Sequence, residues 1–139
     1  MKFATWVLNN YTKDDTKRWL FTDEKFFYLD GIYNAQNDRV WAVNREEADK
    51  KGGAHEKTKF QVKVMVWLGV CGHGLTEPVI LKDGTMDHER YIDEVLSIAL
   101  KSGKKMLGNN WTYQQDGVRC HTDHLTQKWC SEHFPTFIP

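Results

Sequence analysis

The sequence predicts an α/β fold whose single mixed sheet is antiparallel in its first half and parallel in its second, with helices packed against it. Two features of the chain lead to this prediction. β-prone segments come first, from Arg18 to Leu29 and from Phe60 to Leu68, with no long helix between them. Strand candidates in the second half alternate with helical segments, which is the pattern of crossover connections between parallel strands. The length of 139 residues is enough for one domain with its own apolar core.

The first 18 residues form a predicted helical lead-in to this sheet. Phe3, Trp6 and Val7 recur at helical spacing, and Thr12–Asp15 resembles the capped start of a further short turn. The long β-prone segment that follows predicts the first strand. We therefore place a lead-in at residues 1–18 and the domain proper at residues 19–139.

Turn and strand signals continue after the first strand. Asp30-Gly31 predicts a turn, and Arg39 to Val43 a second strand. Asn44 to Lys59 is polar and predicts a solvated loop, because acidic residues are interspersed among its lysines. The third strand, from Phe60 to Leu68, alternates apolar and polar residues in its first half.

The second half contains the crossover segments. Asp87 can cap a helix whose apolar residues recur at helical spacing, and Lys101 and Gly103 predict its end. The remaining predicted elements are strands at Pro78–Leu81, Trp111–Gln115 and Pro135–Ile138 and a helix at Thr122–His133.

Composition limits the classes of function. The 19 Lys and Arg residues balance 19 Asp and Glu residues, so any DNA contact must come from a local patch. The three cysteines fit no disulfide or CxxC pattern, which favours a reducing, intracellular compartment. The longest apolar stretch, Val64–Cys71, is far shorter than the ~20 residues that span a bilayer. We expect a protein that is neither secreted nor inserted in a membrane.

Two aspartates are the candidate functional residues. Asp23 lies in the first predicted strand and Asp116 directly follows a later one. Buried carboxylates need a cation or another partner, so two of them on core strands predict a shared metal ion. Side chains alternate along a strand, so Asp23 shares a face with Trp19 and Phe21, predicted to be the packed side, and Glu24 points to the other. Asp116 lies where the chain leaves a strand, the position at which open α/β sheets bind ligands.

Three motifs occur in the same order as in a known family. They are Phe21–Phe27 (FTDEKFF), Lys63–Val70 (KVMVWLGV) leading to Gly74, and Gln114–Gly117 (QQDG) with His121 five residues past the aspartate. Together they resemble the catalytic domain of mariner-type transposases, members of the DDE group with a ribonuclease H-like fold. The resemblance covers most of the chain and implies a mixed five-stranded sheet flanked by helices.

The resemblance also implies a function. It makes Asp23 and Asp116 the first two catalytic acids, which hold Mg²⁺ or Mn²⁺ for cleavage and strand transfer at transposon ends in DNA. Carboxylates and water are the ligands that Mg²⁺ prefers, and paired ions clamp an in-line displacement at phosphorus. His121 either approaches this site, as the resemblance implies, or is a polar residue at a helix start. A nuclear location follows from the same resemblance.

The chain departs from the family pattern in three places. The family's third acid falls beyond Pro139, its helix-turn-helix DNA-binding region is absent, and Arg119 and Cys120 stand where small residues or Pro are common. We therefore expect a C-terminally incomplete catalytic domain with little or no activity alone. Sheet surface left uncovered by a missing helix is expected to drive self-association. A domesticated nucleic-acid-binding or protein-interaction domain without catalysis, and a decayed relic, are the alternatives.

Overall fold

The computed structural model describes residues 3–29, 40–53, 62–81 and 86–138. Within these ranges the helices are α1 (Phe3–Asn10), α2 (Lys13–Thr16), α3 (Arg45–Ala48), α4 (His88–Arg90), α5 (Ser97–Leu107), α6 (Arg119–Thr122) and α7 (His124–His133). The strands are β1 (Trp19–Tyr28), β2 (Lys63–Cys71), β3 (Gly74–Leu75), β4 (Val79–Leu81), β5 (Thr112–Gln114) and β6 (Thr136–Ile138). Two π-helical segments also occur: Asp49–Gly53 follows α3, and Tyr91–Leu96 joins α4 to α5.

The strands form one mixed sheet, which confirms the predicted fold class. The order across the sheet is β3-β2-β1-β5-β6, with β4 also paired to β2. The pairs β2/β3 and β2/β4 are antiparallel, whereas β1/β5 and β5/β6 are parallel. The helices between β4 and β5 and between β5 and β6 are the crossover connections that parallel pairing requires.

The sheet has six strands where five were expected, because the strand that returns along β2 is divided. Val70 pairs with Leu75 in β3, but Trp67 pairs with Val79 in β4, so the register shifts by one residue between them. At the shift the backbone N–H of Gly69 donates to the Thr76 hydroxyl rather than to a carbonyl, at 2.9 Å. Pro78, which has no N–H to donate, lies just before β4. The extra residue is thus a bulge in one returning strand.

The lead-in is helical over most of the described residues 3–16. Thr12 caps α2 through a reciprocal arrangement in which its hydroxyl accepts from the Asp15 N–H and Asp15 accepts from the Thr12 N–H, as predicted. Tyr11 packs edge-on against Trp19, with ring centroids 4.8 Å apart. The lead-in therefore contacts the beginning of β1.

The long crossover helix begins where predicted but ends later. Asp87 accepts a hydrogen bond from the Arg90 N–H at 2.9 Å and caps α4. The predicted end at Gly103 was wrong: α5 continues to Leu107 and stops at Gly108, whose φ of 75° favours glycine. Gly103 is instead a contact point, because a Cβ at this position would collide with the Trp111 indole.

The core lies between one face of the sheet and the second-half helices. β1, β2 and β5 supply Leu20, Trp67 and Tyr113, all fully buried, and Trp111 just before β5 is 1% exposed. The helices add Tyr91, Val95, Leu96, Ala99 and Cys130, each fully buried. Among the described residues, none of the helices combines the length and apolarity needed to cross a membrane.

The opposite face of β2 and β4 carries exposed apolar side chains. Leu68 and Val70 are 36% and 46% exposed, and Ile80, which pairs with Val66, is 60% exposed. These residues alternate with buried Trp67 along β2 and so share a face. We call Leu68, Val70 and Ile80 the apolar strand face. Self-association of the chain stays a prediction.

The described residues between Phe26 and Val64 belong to one compact unit, and the remaining described residues belong to another unit, which contains the core. The predicted second strand is absent over residues 40–43, where Trp41 and Val43 are 94% and 92% exposed. Three other predictions lie outside the described residues: Arg39 of that strand, the turn at Asp30-Gly31, and the start of the third strand at Phe60 and Gln61. The predicted loop contains α3, capped by Asn44, whose side chain accepts from the Glu47 N–H at 2.9 Å.

Lysines of the unit between Phe26 and Val64 pair locally. Lys50 lies 2.9 Å from Glu46 and Lys51 lies 2.7 Å from Glu47. These exposed i,i+4 pairs are what a solvated helical turn contains, in agreement with the prediction of a solvated segment.

Candidate metal centre

The two candidate aspartates lie just past the parallel pairing of β1 with β5. Phe21 pairs with Gln114, the last paired residue of β5, and Asp23 and Asp116 each follow two residues later in their own segments. β1 runs on past this point, whereas β5 ends at Gln114, so Asp116 lies in the loop that leaves the sheet. Neighbouring strands are about 4.8 Å apart, a spacing across which two carboxylates can share one cation.

The expectation that these aspartates are buried was wrong. Asp23 is exposed, and the Asp116 side chain is 53% exposed. The lead-in covers Trp19, but the same face of β1 becomes progressively open through Phe21 to Asp23, and β5 no longer pairs beyond Gln114. The packed face of β1 is instead the one that carries Leu20 and Thr22. Both carboxylates therefore meet solvent and can be reached by an ion or a phosphate group.

In each aspartate, one carboxylate oxygen accepts hydrogen bonds from nearby groups. Asp23 Oδ1 accepts from the Glu24 N–H at 2.8 Å. Asp116 Oδ1 accepts from the Val118 N–H at 3.1 Å and contacts His121 Nδ1 at 2.8 Å. Among the described residues, Oδ2 of neither aspartate takes part in a hydrogen bond or ion pair. One oxygen of each carboxylate is thus oriented while the other is free to bind.

Glu24 and His121 lie directly behind this edge. The His121 side chain is 2% exposed and the Glu24 side chain 12%, and Glu24 Oε1 lies 3.4 Å from His121 Nε2. Burial alone would lower the pKa of His121, but the carboxylates of Glu24 and Asp116 outweigh burial and raise that pKa above its ordinary value. His121 lies in the short helix α6 and also contacts Asp116, one of the two candidate residues.

Sequence reasoning missed Glu24 as a site residue. Strand alternation correctly places Glu24 on the face opposite Asp23, and by itself it predicts that Glu24 points away from the site. The signal that could have found it is its face: Glu24 shares the buried face with Thr22, towards which the chain returns after Asp116.

A buried hydrogen-bond network of hydroxyl groups and the Gln115 amide lies next to the site. Tyr113 and Tyr91 are joined through their hydroxyls at 2.8 Å, and Tyr91 donates to Gln115 Oε1 at 2.7 Å. Gln115 Nε2 donates to the His121 carbonyl at 3.3 Å, and the Tyr91 ring lies against the His121 ring with centroids 4.2 Å apart. Thr22 donates towards the Tyr113 hydroxyl at 3.3 Å. This network connects β1, β5 and the crossover helix to the loop that carries Asp116.

The donor set suits a hard divalent cation that keeps much of its water. Mg²⁺ is commonly bound by one or two carboxylates, with waters and substrate phosphates completing its octahedron. The free oxygens of Asp23 and Asp116 match that requirement. Within the described ranges, no cluster of three or more His, Cys, Asp or Glu side chains is arranged to hold a metal ion. The described site thus offers two acids.

Comparison with known proteins identifies the fold. No family model and no curated protein matches the sequence. Among solved structures, the Mos1 transposase paired-end complex with the left transposon end superposes with a TM-score of 0.66 at 15% identity, covering 98% of this chain and 39% of that one. The Mos1 paired-end complex with Mn gives the same values. The catalytic domain of Mos1 mariner transposase gives a TM-score of 0.57 at 13% identity, covering 98% of this chain and 55% of that one.

This chain accordingly spans 39 to 55% of the length of these solved chains. At sequence identities of 12 to 15%, what these proteins are shown to share with this chain is the fold. The resemblance indicated by the sequence motifs is confirmed at that level: the described residues adopt the ribonuclease H-like fold of the mariner transposase catalytic domain.

Proposed function

We propose that this chain is the catalytic-fold portion of a mariner-type DNA transposase, with Asp23 and Asp116 as ligands of a Mg²⁺ or Mn²⁺ ion at a DNA phosphodiester. The observation that carries the proposal is that Asp23 and Asp116 each lie two residues past the last paired residues of the parallel strands β1 and β5, and each has one carboxylate oxygen without a hydrogen bond or ion pair among the described residues. Solved structures of the same fold, described as Mos1 transposon-end complexes and as catalytic domains with Mg or Mn, support DNA and a divalent ion as partners.

The residues around the two aspartates have different proposed roles. Asp23 and Asp116 present their free oxygens to solvent, where they can bind the ion and admit a phosphate group. His121 and Val118 hold the other oxygen of Asp116. When bound, a divalent ion supplies electrophilic assistance at the phosphodiester and charge neutralisation beside the two acids.

We further propose that the isolated 139-residue chain cleaves DNA poorly. The motivating observation is that the described residues contain no cluster of three or more His, Cys, Asp or Glu side chains that could hold a metal ion. A nuclear location, where transposon DNA is found, is part of the same proposal.

Metal binding is the direct test of the site. Titration calorimetry should detect Mn²⁺ binding to the full chain. This binding should be lost in Asp23→Ala and in Asp116→Ala. Asp93→Ala, which removes an exposed helical carboxylate, is the matched control and should bind as the unsubstituted chain does. Equal Mn²⁺ affinity in all four proteins would refute the assignment of the two aspartates.

Cleavage is tested separately with supercoiled plasmid and Mg²⁺ or Mn²⁺. Little nicking is expected from the isolated chain. Robust nicking that disappears in Asp23→Ala would uphold the site and overturn the proposed low activity.

The second candidate is a binding domain that keeps the fold without catalysis, favoured by the lack of a cluster of three or more metal-binding side chains among the described residues. Such a domain needs no divalent ion. DNA binding that is unaffected by chelation of metals, together with absent Mn²⁺ binding, would select this function over the first.

A further inference from the structure

Asp116 lies on a loop, and the orientation of its carboxylate needs a structural cause. Its side chain is half exposed and follows β5 by two residues, so the strand itself does not orient it. Only contacts made within the loop and behind it can hold the carboxylate in one position. The Val118 N–H supplies one contact to Oδ1 and His121 Nδ1 supplies a shorter second one, at 3.1 and 2.8 Å.

We propose that His121, backed by Glu24, is a positioning residue that holds Asp116 Oδ1 and so directs Oδ2 towards the divalent ion. This inference rests on the proposed function, since it assigns a role within the same site. A carboxylate can only accept, so His121 Nδ1 carries the hydrogen in this contact. Hydrogen bonds from an imidazole to a ligating carboxylate are the kind of outer contact that orients metal ligands.

The surroundings of His121 fix its ring. The imidazole lies against the Tyr91 ring, with centroids 4.2 Å apart and planes 32° from parallel. The backbone carbonyl of His121 accepts from Gln127 Nε2 at 2.8 Å and from Gln115 Nε2 at 3.3 Å. With 2% of its side chain exposed, His121 is enclosed by its neighbours. This enclosure supports the contact that His121 makes with Asp116.

Glu24 completes the arrangement from the opposite side of the ring. Its Oε1 and His121 Nε2 are both buried and lie 3.4 Å apart, within ion-pair distance, and neither atom has a hydrogen-bond partner among the described residues. Buried polar atoms are costly unless they are paired, so each of these two atoms is the natural partner of the other. Glu24 thereby selects the ring orientation in which Nδ1 faces Asp116.

This arrangement gives the two adjacent acids of β1 different tasks. Asp23 faces solvent, whereas Glu24, on the other face, contacts the His121 ring, whose second nitrogen contacts Asp116. A direct metal-ligand role for His121 does not fit the geometry, because each ring nitrogen is directed at a carboxylate.

The test compares Mn²⁺ affinity among variants of the full chain that separate the hydrogen bond from the ring. His121→Phe keeps an aromatic ring against Tyr91 but donates no hydrogen bond. His121→Asn loses the ring but places an amide N–H near the position of Nδ1. We expect His121→Phe to weaken Mn²⁺ binding by about 10- to 100-fold and His121→Asn to recover most of that loss. His124→Phe, at an 84% exposed histidine, is the control and should bind normally.

Glu24→Gln tests the backing residue and keeps the proposal testable if a His121 variant fails to fold. It should weaken Mn²⁺ binding by less than His121→Phe does, with near-ultraviolet circular dichroism unchanged. Unchanged affinity in folded His121→Phe, or an equal loss in His121→Phe and His121→Asn, would overturn the positioning role. Failure of the proposed function has a different signature: Asp116→Ala would then bind Mn²⁺ as well as the unsubstituted chain, or no variant would bind it.

Discussion

Gly103 offers a sharp test of how the crossover helix packs on the sheet. It lies inside α5, where Ala is favoured over Gly by about 1 kcal/mol because it restricts the unfolded chain. The site is nevertheless closed to a methyl group, because an added Cβ would overlap three carbons of the Trp111 ring system. We predict that Gly103→Ala destabilises the protein despite its better helix propensity.

The expected size follows from two opposing effects. Trp111 is 1% exposed and packs edge-on against Phe134 with ring centroids 5.3 Å apart, so the indole cannot move aside freely. Overpacking of a closed core costs about 1 to 3 kcal/mol, and the severity of this overlap places it at the upper end. After the gain in propensity is subtracted, the net loss is about 2 kcal/mol. For a domain of this size, that corresponds to a fall in Tm of roughly 6 °C.

Urea denaturation followed by tryptophan fluorescence measures this loss, and a double-mutant cycle assigns its cause. Trp111→Phe removes part of the ring system that the added methyl group would meet, so Gly103→Ala in that background should be neutral or stabilising. The two sites should therefore couple by about 2 kcal/mol. Lys104→Ala, at the exposed neighbouring position, is the control and should change stability by no more than about 0.5 kcal/mol.

Two results would refute the reasoning. If Gly103→Ala were as stable as the unsubstituted chain, the contact between α5 and Trp111 would be looser than described. If the loss were the same in the Trp111→Phe background, the indole would not be its cause.

Three further predictions concern the site, the buried ionisable groups and the sheet surface. Mn²⁺ at 100 times its Kd should stabilise the chain by about 2.7 kcal/mol in thermal unfolding, and the same concentration should give no such gain in Asp23→Ala; equal stabilisation of both would contradict the site. Burial raises the pKa values of the buried Tyr91 and Tyr113 hydroxyls and raises the pKa of the Cys130 thiol to about 12. Because the folded state holds these protons more tightly, stability should be full below their unfolded pKa values of about 8.5 to 10 and should fall above them, by about 1.4 kcal/mol per pH unit for each group; absorbance at 295 nm showing both tyrosines ionising near pH 10 in folded protein would be the contrary result. Finally, the apolar strand face should drive self-association, and Ile80→Lys should reduce it in sedimentation velocity; a monomeric unsubstituted chain would show that the face does not associate.

Local sequence signals predicted those elements that are stabilised by interactions within their own segment. Thr12 and Asp87 mark helix starts because their side chains satisfy N–H groups within the same segment, and the structure contains both caps. The strand motifs placed Asp23 on one strand and Asp116 just after another, and these two strands, β1 and β5, pair in parallel. These features depend on a few neighbouring residues and on strand order.

Other features depended on contacts between distant segments. Gly103 reads as a helix end in the sequence, but the indole of Trp111 requires a glycine at that point inside α5. Arg39–Val43 reads as a strand, yet residues 40–43 form none, because β propensity alone does not supply a paired neighbour. The exposure of Asp116 follows from where β5 stops pairing, which is likewise not a local property.

The sequence by itself determined the mixed α/β class, the resemblance to a transposase catalytic domain and the two aspartates, because strand patterning, helix caps and short motifs are written in neighbouring residues. Only the tertiary structure decided that both aspartates face solvent, and that Glu24, on the face turned away from Asp23, contacts the ring that holds Asp116. The physical reason is that burial and side-chain pairing arise from segments far apart in the chain. The partner of Glu24 lies on the loop after β5 and becomes its neighbour only when β1 and β5 pair in register.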